Sequence, residues 1–229
     1  MGSVLRSLAF YVVFYGLTVP WVVIAVIAAL FGKGALRPVA DGWSAFHRAC
    51  VRHILGIEVR EEGDKPAGPA LYAFKHESFF EAIDLAVSLR RPAIFAKEEL
   101  FRIPGWGRVA RAYGAVPVAR RDGAKALRNM IAQAKRLSGE GRPLAIFPEG
   151  TRVPHGTRRR LGSGFAGLYK MLGLPVVPVA VNSGPLYHRT WKKRGTITLR
   201  FGEPIPPGLP REELEARVLE EINALNGGL

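Results

Sequence analysis

The hydrophobic pattern begins with a long uncharged segment near the N-terminus. No Asp, Glu, Lys or Arg occurs between Leu8 and Phe31. At ~1.5 Å per residue, a helix of this length would measure roughly 36 Å, which exceeds the ~30 Å hydrocarbon core of a bilayer. Pro20 lies mid-segment and is expected to bend or split the helix. The pattern therefore predicts membrane attachment of 8–31, either by spanning or by re-entering one leaflet, over burial in a soluble core.

A second, amphipathic helix is predicted at 43–55. Its apolar side chains recur at helical spacing and its cations fall elsewhere around the helix. The apolar set is Trp43, Phe46, Cys50 and Ile54, followed by Ile57, and the polar set is Arg48, Arg52 and His53. Such a helix fits a membrane interface and also fits packing on the main domain. Residues 1–56 are therefore predicted to be the membrane-associated part of the chain.

From residue 57 onward, short apolar runs alternate with helical patterns. The runs are 57–60, 70–75, 93–97, 115–118, 143–147, 176–181 and 196–201. Helical patterns lie near 79–90, 106–112, 123–138, 164–172 and 210–225, and Asp122 is a candidate N-cap. Mostly continuous apolar strands indicate a sheet covered on both faces. The prediction for 57–229 is a single layered α/β domain, with a mostly parallel or mixed sheet of about seven strands flanked by helices.

The charge is strongly positive and concentrated in the middle of the chain. The net charge is +14, and residues 61–209 hold 25 basic against 12 acidic residues. Such an excess favours an anionic partner, which leaves nucleic acid, acidic lipids and phosphorylated substrates open. Four cations follow the apolar segment and one precedes it, which favours a cytoplasmic location for the C-terminal side. The single cysteine, Cys50, excludes an intrachain disulfide.

Candidate chemistry begins at the stretch KHESFFEAID, residues 75–84, where His76 comes directly after a predicted strand. Ser78 and Glu81 have the S-x-x-E spacing of a capping box, which predicts a helix starting at Ser78. Three carboxylates are candidates to orient His76: Glu77, Glu81 and Asp84. Glu81 would lie on the first helical turn nearest the histidine, although a purely capping role is an equal alternative.

Other chemistries fit the sequence less well. Phe80 stands where the zinc motif H-E-x-x-H needs its second histidine, and the remaining histidines lack metal-ligand spacing. There is no G-x-S-x-G nucleophile elbow. A histidine with a carboxylate and no protein nucleophile is typical of a general base that activates a substrate hydroxyl.

Three further stretches leave predicted strands. They are FAKEELFRIPGWG at 95–107, IFPEGTR at 146–152 and VVPVAVNSG at 176–184. Each alone is compatible with an ordinary strand exit. Together, several strand ends that carry cations near one histidine describe an anion site in which arginine can grip a phosphate through two nitrogens. The cations are Lys97, Arg102 and Arg152, followed by Arg158–Arg160.

The ordered motifs resemble those of the glycerolipid acyltransferases, specifically the bacterial 1-acyl-sn-glycerol-3-phosphate acyltransferases. The family's H-x4-D corresponds to HESFFE, its K-x-E-L-x-x-I-P-x-x-G to KEELFRIPGWG, its F-P-E-G-T-R is intact, and its V-P-V-x-x-N corresponds to VPVAVN. The resemblance covers about residues 70–184 and implies transfer of a fatty acyl group from a thioester to the 2-hydroxyl of lysophosphatidic acid, giving phosphatidic acid.

Site roles carried over from the family follow position by position. The resemblance implies that His76 is the general base and Glu81 its partner, and that Lys97 and Arg152 hold the acceptor phosphate. Glu149 would help to position the glycerol, within a turn that includes Gly150 and Thr151. Val177, Pro178 and Val179 would line the acyl-donor side. It also implies acyl-CoA or acyl carrier protein as donor, no metal or redox cofactor, and a place on the cytoplasmic side of the inner membrane among its lipids.

Two positions depart from the family pattern. Residue 81 is Glu where the family has Asp, and Gly162 stands where a lysine is expected, with Arg158–Arg160 as a possible substitute charge. Alternatives are therefore kept open: an acyltransferase for another lyso-lipid such as lyso-ornithine lipid, or a catalytically silent lipid-binding membrane protein. A nucleic-acid binder is disfavoured because no nucleic-acid motif is present.

Overall fold

The N-terminal helix is long, apolar and largely exposed. The computed structural model describes residues 2–118 and 123–227. Helix α1 (Ser3–Phe10) continues through a π-helical turn (Tyr11–Tyr15) into α2 (Gly16–Leu30), which runs on through Pro20. The segment is long and apolar enough to cross a membrane, and only 17% of its most apolar window is buried. It is therefore not the buried core helix of a soluble protein, since its valines, isoleucines and leucines point away from the domain.

The amphipathic helix is longer than predicted. Helix α3 (Lys33–Cys50) continues in a π-helical turn (Val51–Leu55), so it begins ten residues before the predicted 43–55. The extension is stabilised by tertiary contacts, because Leu36 is fully buried against Ala25 of α2 and Tyr113. Trp43, Phe46, Cys50 and Ile54 contact the core, which is one of the two arrangements that the pattern allowed, whereas Ile57 already belongs to the first strand. The helix thus packs on the main domain.

The sheet has the seven predicted strands. They are β1 (Ile57–Glu62), β2 (Leu71–Phe74), β3 (Ala93–Lys97), β4 (Val116–Val118), β5 (Leu144–Ile146), β6 (Val176–Val181) and β7 (Gly195–Phe201). Their order is β1-β7-β6-β2-β5-β3-β4. The pairs are parallel except β6–β7, so the expectation of a mostly parallel or mixed sheet is confirmed.

Helices cover both faces of this sheet. The remaining helices are α4 (Phe80–Ser88), a 3-10 turn (Glu98–Arg102), α5 (Trp106–Tyr113), α6 (Gly123–Gly139), α7 (Gly164–Leu172), α8 (Gly184–Tyr187) and α9 (Arg211–Ile222). The predicted N-cap of α6, Asp122, lies outside the described residues. Side chains alternate across a strand, and β2 divides accordingly. Tyr72 and Phe74 pack under α1, α3 and α4, while Leu71 and Ala73 pack under α6, α7 and α9.

The strand directions bring the candidate motifs to one edge. Strands β2, β5 and β3 are adjacent and parallel, with Leu71 and Ala93 both registered against Leu144. Their carboxyl ends therefore meet, and each is followed by one of the sequence motifs. Strand β6 runs parallel to β2 on its other side and adds the fourth motif.

Candidate active site

His76 lies in the turn between β2 and α4, held on two sides. Its ring stacks on Phe147 with the centroids 4.1 Å apart. Its Nδ1 lies 3.0 Å from Oε1 of Glu81, and 16% of its side chain is exposed. A carboxylate can only accept, so Nδ1 carries the proton and donates it. The lone pair of Nε2 is then available as a base.

Glu81 is buried and surrounded by donors. Its Oε1 also accepts the backbone N–H groups of Glu77 and Ser78, and its Oε2 accepts the hydroxyls of Ser78 and Ser183. Burial raises the pKa of this carboxyl, but the neighbouring His76 and the donors of Ser78 and Ser183 outweigh burial and lower the pKa overall. Glu81 is therefore held as a carboxylate, with its charge directed at the imidazole.

The other two acids of the stretch bind elsewhere. Glu77 contacts Nδ1 of His155 at 2.9 Å and accepts the backbone N–H of Gly184 at 2.8 Å. Asp84 accepts both Nε and Nη2 of Arg48, which joins α4 to α3. Of the three carboxylates next to His76 in sequence, Glu81 is the one that contacts its ring.

The capping box forms, although regular helix begins later than predicted. Helix α4 starts at Phe80, two residues after Ser78. The Ser78 hydroxyl accepts the N–H of Phe80 at 3.0 Å, while the Glu81 carboxylate reaches back to the N–H of Ser78 at 2.7 Å. Because the same carboxylate also contacts His76, the capping and orienting interpretations of Glu81 describe one arrangement.

Glu149 occupies a different environment from the one its predicted role requires. Its side chain is fully buried, and Oε1 accepts the ammonium of Lys75 at 2.7 Å. Its Oε2 accepts the backbone N–H of His76 at 3.2 Å. Both oxygens are thus engaged by protein groups, one of which is the backbone N–H of His76.

The cations of the site are exposed. Arg152 lies with its guanidinium 4.2 Å from the ring centre of Phe79, which is itself exposed. It follows Gly150, whose positive φ of 68° suits glycine, and Thr151. Lys97 is exposed at the end of β3, on the same sheet edge as His76. Partial burial, together with the positive charge of Arg152, lowers the pKa of His188 in the loop after α8.

The β6 motif contributes buried strand residues. Val177 and Val179 have no exposed surface and belong to the core, and Pro178 is buried in the same strand. Their side chains support the sheet beneath the site and do not form its surface. Gly162, which replaces the expected lysine, donates its N–H to Pro148 at 2.7 Å, and Arg158–Arg160 are exposed nearby in sequence.

Sequence reasoning missed several residues that shape the site. They are Lys75, Phe79, Phe147, His155, Ser183 and His188. Phe147 begins the F-P-E-G-T-R motif, and Lys75 and Ser183 flank recognised motifs, but their side-chain contacts depend on which strands are neighbours. In the part of the chain that the structure describes, no group of three or more His, Cys, Asp or Glu side chains forms a candidate metal site.

Comparisons with known proteins find similarity to one family. The acyltransferase family model matches residues 56–182. The 1-acyl-sn-glycerol-3-phosphate acyltransferase of Pseudomonas aeruginosa is 28% identical over 225 residues, covering 96% of this chain and 86% of that protein. The human 1-acyl-sn-glycerol-3-phosphate acyltransferase beta is 28% identical over 72% of this chain and 61% of its own length.

A solved structure shares the fold. It is the 1-acyl-sn-glycerophosphate (LPA) acyltransferase PlsC of Thermotoga maritima, with a TM-score of 0.77 at 22% identity. The similarity covers 98% of this chain and 96% of that one. The N-terminal helices and the α/β domain are therefore arranged alike in the two proteins.

Proposed function

The chain belongs to the acyltransferase family, and from this membership we propose that it transfers a fatty acyl group from a thioester to the 2-hydroxyl of lysophosphatidic acid. The product is phosphatidic acid, a precursor in phospholipid biosynthesis. The observation that carries the proposal is the His76–Glu81 pair, 3.0 Å apart, inside the matched region. The names of the relatives supply the acceptor, since several are 1-acyl-sn-glycerol-3-phosphate acyltransferases.

In the proposed reaction, His76 takes up one proton and then returns it. Nε2 takes the proton of the acceptor 2-hydroxyl while the oxygen attacks the thioester carbonyl. The C–O bond forms, the C–S bond breaks, and the leaving thiolate takes the proton back from Nε2. Glu81 keeps the ring in the tautomer that leaves Nε2 free, and its charge stabilises the imidazolium formed in between.

The acceptor phosphate is proposed to bind Arg152 and Lys97. Both are exposed at the sheet edge that carries His76. A guanidinium can bind a phosphate through two nitrogens, and the contact with Phe79 restricts its position. The burial of Glu149 argues for a supporting role in place of direct contact with the glycerol.

Membrane attachment brings the protein to its proposed lipid substrate. The exposed apolar helix Ser3–Leu30 is suited to hold the protein against a bilayer, where lysophosphatidic acid resides. The cations that follow the helix support a proposed location of the catalytic domain on the cytoplasmic side of the inner membrane. The thioester donor is then a cytoplasmic one, acyl-CoA or acyl carrier protein.

The test is an acceptor panel with purified full-length protein. Lysophosphatidic acid, lysophosphatidylcholine and lyso-ornithine lipid are each offered with acyl-CoA and with acyl carrier protein, and products are identified by mass spectrometry. We expect phosphatidic acid as the main product. Transfer only to another lyso-lipid would overturn the acceptor assignment, and no transfer to any acceptor would overturn the catalytic one.

The matched variants are His76→Ala and His53→Ala. His53 is exposed and lies outside the candidate site. The first variant should lose transfer by at least about a hundredfold, the lower end of what a general base contributes, while the second retains it. Equal activity in both would show that His76 is not the base.

A further inference from the structure

Lys75 is a fully buried lysine whose ammonium has three acceptors. It follows β2 directly and precedes His76, and none of its side chain is exposed. Nζ donates to Glu149 Oε1 at 2.7 Å, to the carbonyl of Thr157 at 3.0 Å and to Asn223 Oδ1 at 2.9 Å. Three donors thus meet three acceptors, which is the condition for keeping a charged ammonium inside a protein.

The ion pair leads directly to the histidine. The second oxygen of Glu149 accepts the N–H of His76, so Lys75, Glu149 and His76 form one hydrogen-bonded chain. On the other side, Asn223 ends α9 and donates to the carbonyl of Leu219. The chain therefore links the C-terminal helix to the backbone of the candidate base.

Charge balance around His76 depends on this pair. The charged and titratable groups around the histidine come from several elements. They are Glu81 of α4, Glu77 before it with its partner His155, Glu149 with its partner Lys75, Arg152 after β5, and His188 after α8. Two of the carboxylates, Glu81 and Glu149, are hydrogen-bonded to His76 itself. Lys75 neutralises the one that is not used to orient the ring.

We propose that Lys75 is a positioning residue for the acyl transfer: it fixes Glu149 against the backbone N–H of His76 and cancels its charge, so that Glu149 adds no net charge next to the imidazole that Glu81 orients. This inference rests on the proposed role of His76 as general base. If the Lys75–Glu149 pair only stabilised the fold, any well-packed neutral pair could replace it without moving the pH profile. If it cancels charge, the two single substitutions shift the midpoint of the pH profile in opposite directions.

The test measures kcat/KM against pH for Lys75→Met, Glu149→Gln and the double variant. Lys75→Met leaves the buried Glu149 carboxylate unpaired and hydrogen-bonded to the backbone N–H of His76. Its negative charge favours the protonated imidazole, so the midpoint of the acid limb should rise by about one pH unit. Glu149→Gln leaves the positive charge and should move the midpoint to lower pH. The double variant should return to the wild-type midpoint, with activity above that of Lys75→Met.

Lys65→Met is the matched control. Lys65 also pairs with a glutamate, at 2.6 Å from Glu61, but this pair is partly exposed. Its removal should leave the pH profile unchanged. Loss of activity in Lys75→Met with an unmoved midpoint, or equal midpoints in both single variants, would overturn the proposal.

Folding and function are separated by two further comparisons. Circular dichroism and the thermal midpoint establish which variants fold, and if Lys75→Met does not, Glu149→Gln against wild type still tests the predicted downward shift. Activity surviving in His76→Ala would refute the proposed function itself. An inactive His76→Ala together with an unshifted Glu149→Gln would refute only the inference about Lys75.

Discussion

Nδ1 of His76 and Oε1 of Glu81 lie 3.0 Å apart because the chain turns sharply between β2 and α4. The turn places the backbone N–H groups of Glu77 and Ser78 on the same oxygen, at 2.5 and 2.7 Å. The carboxylate that starts the helix is thereby also the one that orients the ring. The Glu81 side chain therefore both caps helix α4 and orients the proposed catalytic histidine.

The first prediction concerns the choice among the neighbouring acids. Glu81→Gln should reduce kcat by about a hundredfold or more, because a neutral amide neither stabilises the imidazolium nor fixes the same tautomer. Asp84→Asn should leave kcat per folded molecule nearly unchanged and lower the thermal midpoint, since Asp84 pairs with Arg48 between α3 and α4. The reverse pattern in steady-state kinetics would refute the assignment of Glu81.

The second prediction concerns the hydroxyl behind the carboxylate. Ser183 donates to Glu81 Oε2 at 2.7 Å from the start of α8. A hydrogen bond to a charged group contributes about 1.5–3 kcal/mol, so Ser183→Ala should lower kcat roughly tenfold or more. Ser88→Ala is the control, because Ser88 donates to the buried Asp84 at 2.6 Å. Both variants should lose stability, and a loss of turnover in the control as large as in Ser183→Ala would count against a specific role.

Particular residues show how much of the fold and of the site can be predicted from the sequence. The strands follow from short apolar runs between turn residues, and the capping spacing makes Glu81 a candidate partner of His76, since both signals are local. The start of α3 at Lys33 does not, because Leu36 is buried by contacts with α2 and Tyr113 that are distant in sequence.

Glu149 marks the same limit within the site. Its motif predicts that it lies near the site, but its ion pair with Lys75 joins residues 74 positions apart. Only the adjacency of β2 and β5 brings them together. Strand order is a property of the whole fold, and a motif read along the chain carries no information about it.

The third prediction concerns recognition of the acceptor. Arg152→Ala should raise KM for lysophosphatidic acid about tenfold or more, with a smaller change in kcat, because a charge-assisted contact to the phosphate is lost. Arg152→Lys should recover only part of the affinity, since lysine lacks the planar contact with Phe79. Arg217, an exposed residue paired with Glu213, supplies the control substitution. An unchanged KM in Arg152→Ala would exclude Arg152 from phosphate binding.

The fourth prediction concerns the membrane-facing helix. Val19 and Val23 are exposed on α2, so replacing both by Asp places charges on the surface proposed to meet lipid. An aspartate at the centre of a membrane helix costs about 2.5–3.5 kcal/mol, and the bound fraction in vesicle flotation should fall at least about tenfold. Leu127→Asp, an exposed apolar position on α6, should float like wild type. Unchanged flotation of the double variant would show that this face does not contact the bilayer.

The fifth prediction follows from Glu77, whose pKa is raised by burial despite its contacts with Gly184 and His155. A carboxyl with a raised pKa binds more protons in the folded state than in the unfolded state, so its contribution to stability falls as pH rises above the ordinary value of 4.5. Glu77→Gln does not titrate, and an amide can keep both contacts. Its thermal midpoint relative to wild type should therefore increase between about pH 4.5 and pH 8.

Glu61 gives this prediction a control of opposite sign. Burial raises the pKa of Glu61, but Lys65 and Arg48 outweigh it and lower the pKa overall. The stability that Glu61 contributes is fully present above its ordinary pKa of 4.5. It is lost as the pH falls through the lowered pKa of Glu61 in the folded protein. Glu61→Gln should therefore be less stable than wild type at pH 8 and approach it at acid pH. Parallel pH dependence of the two variants would mean that burial does not govern the titration of Glu77, and that the contact with His155 holds it ionised instead.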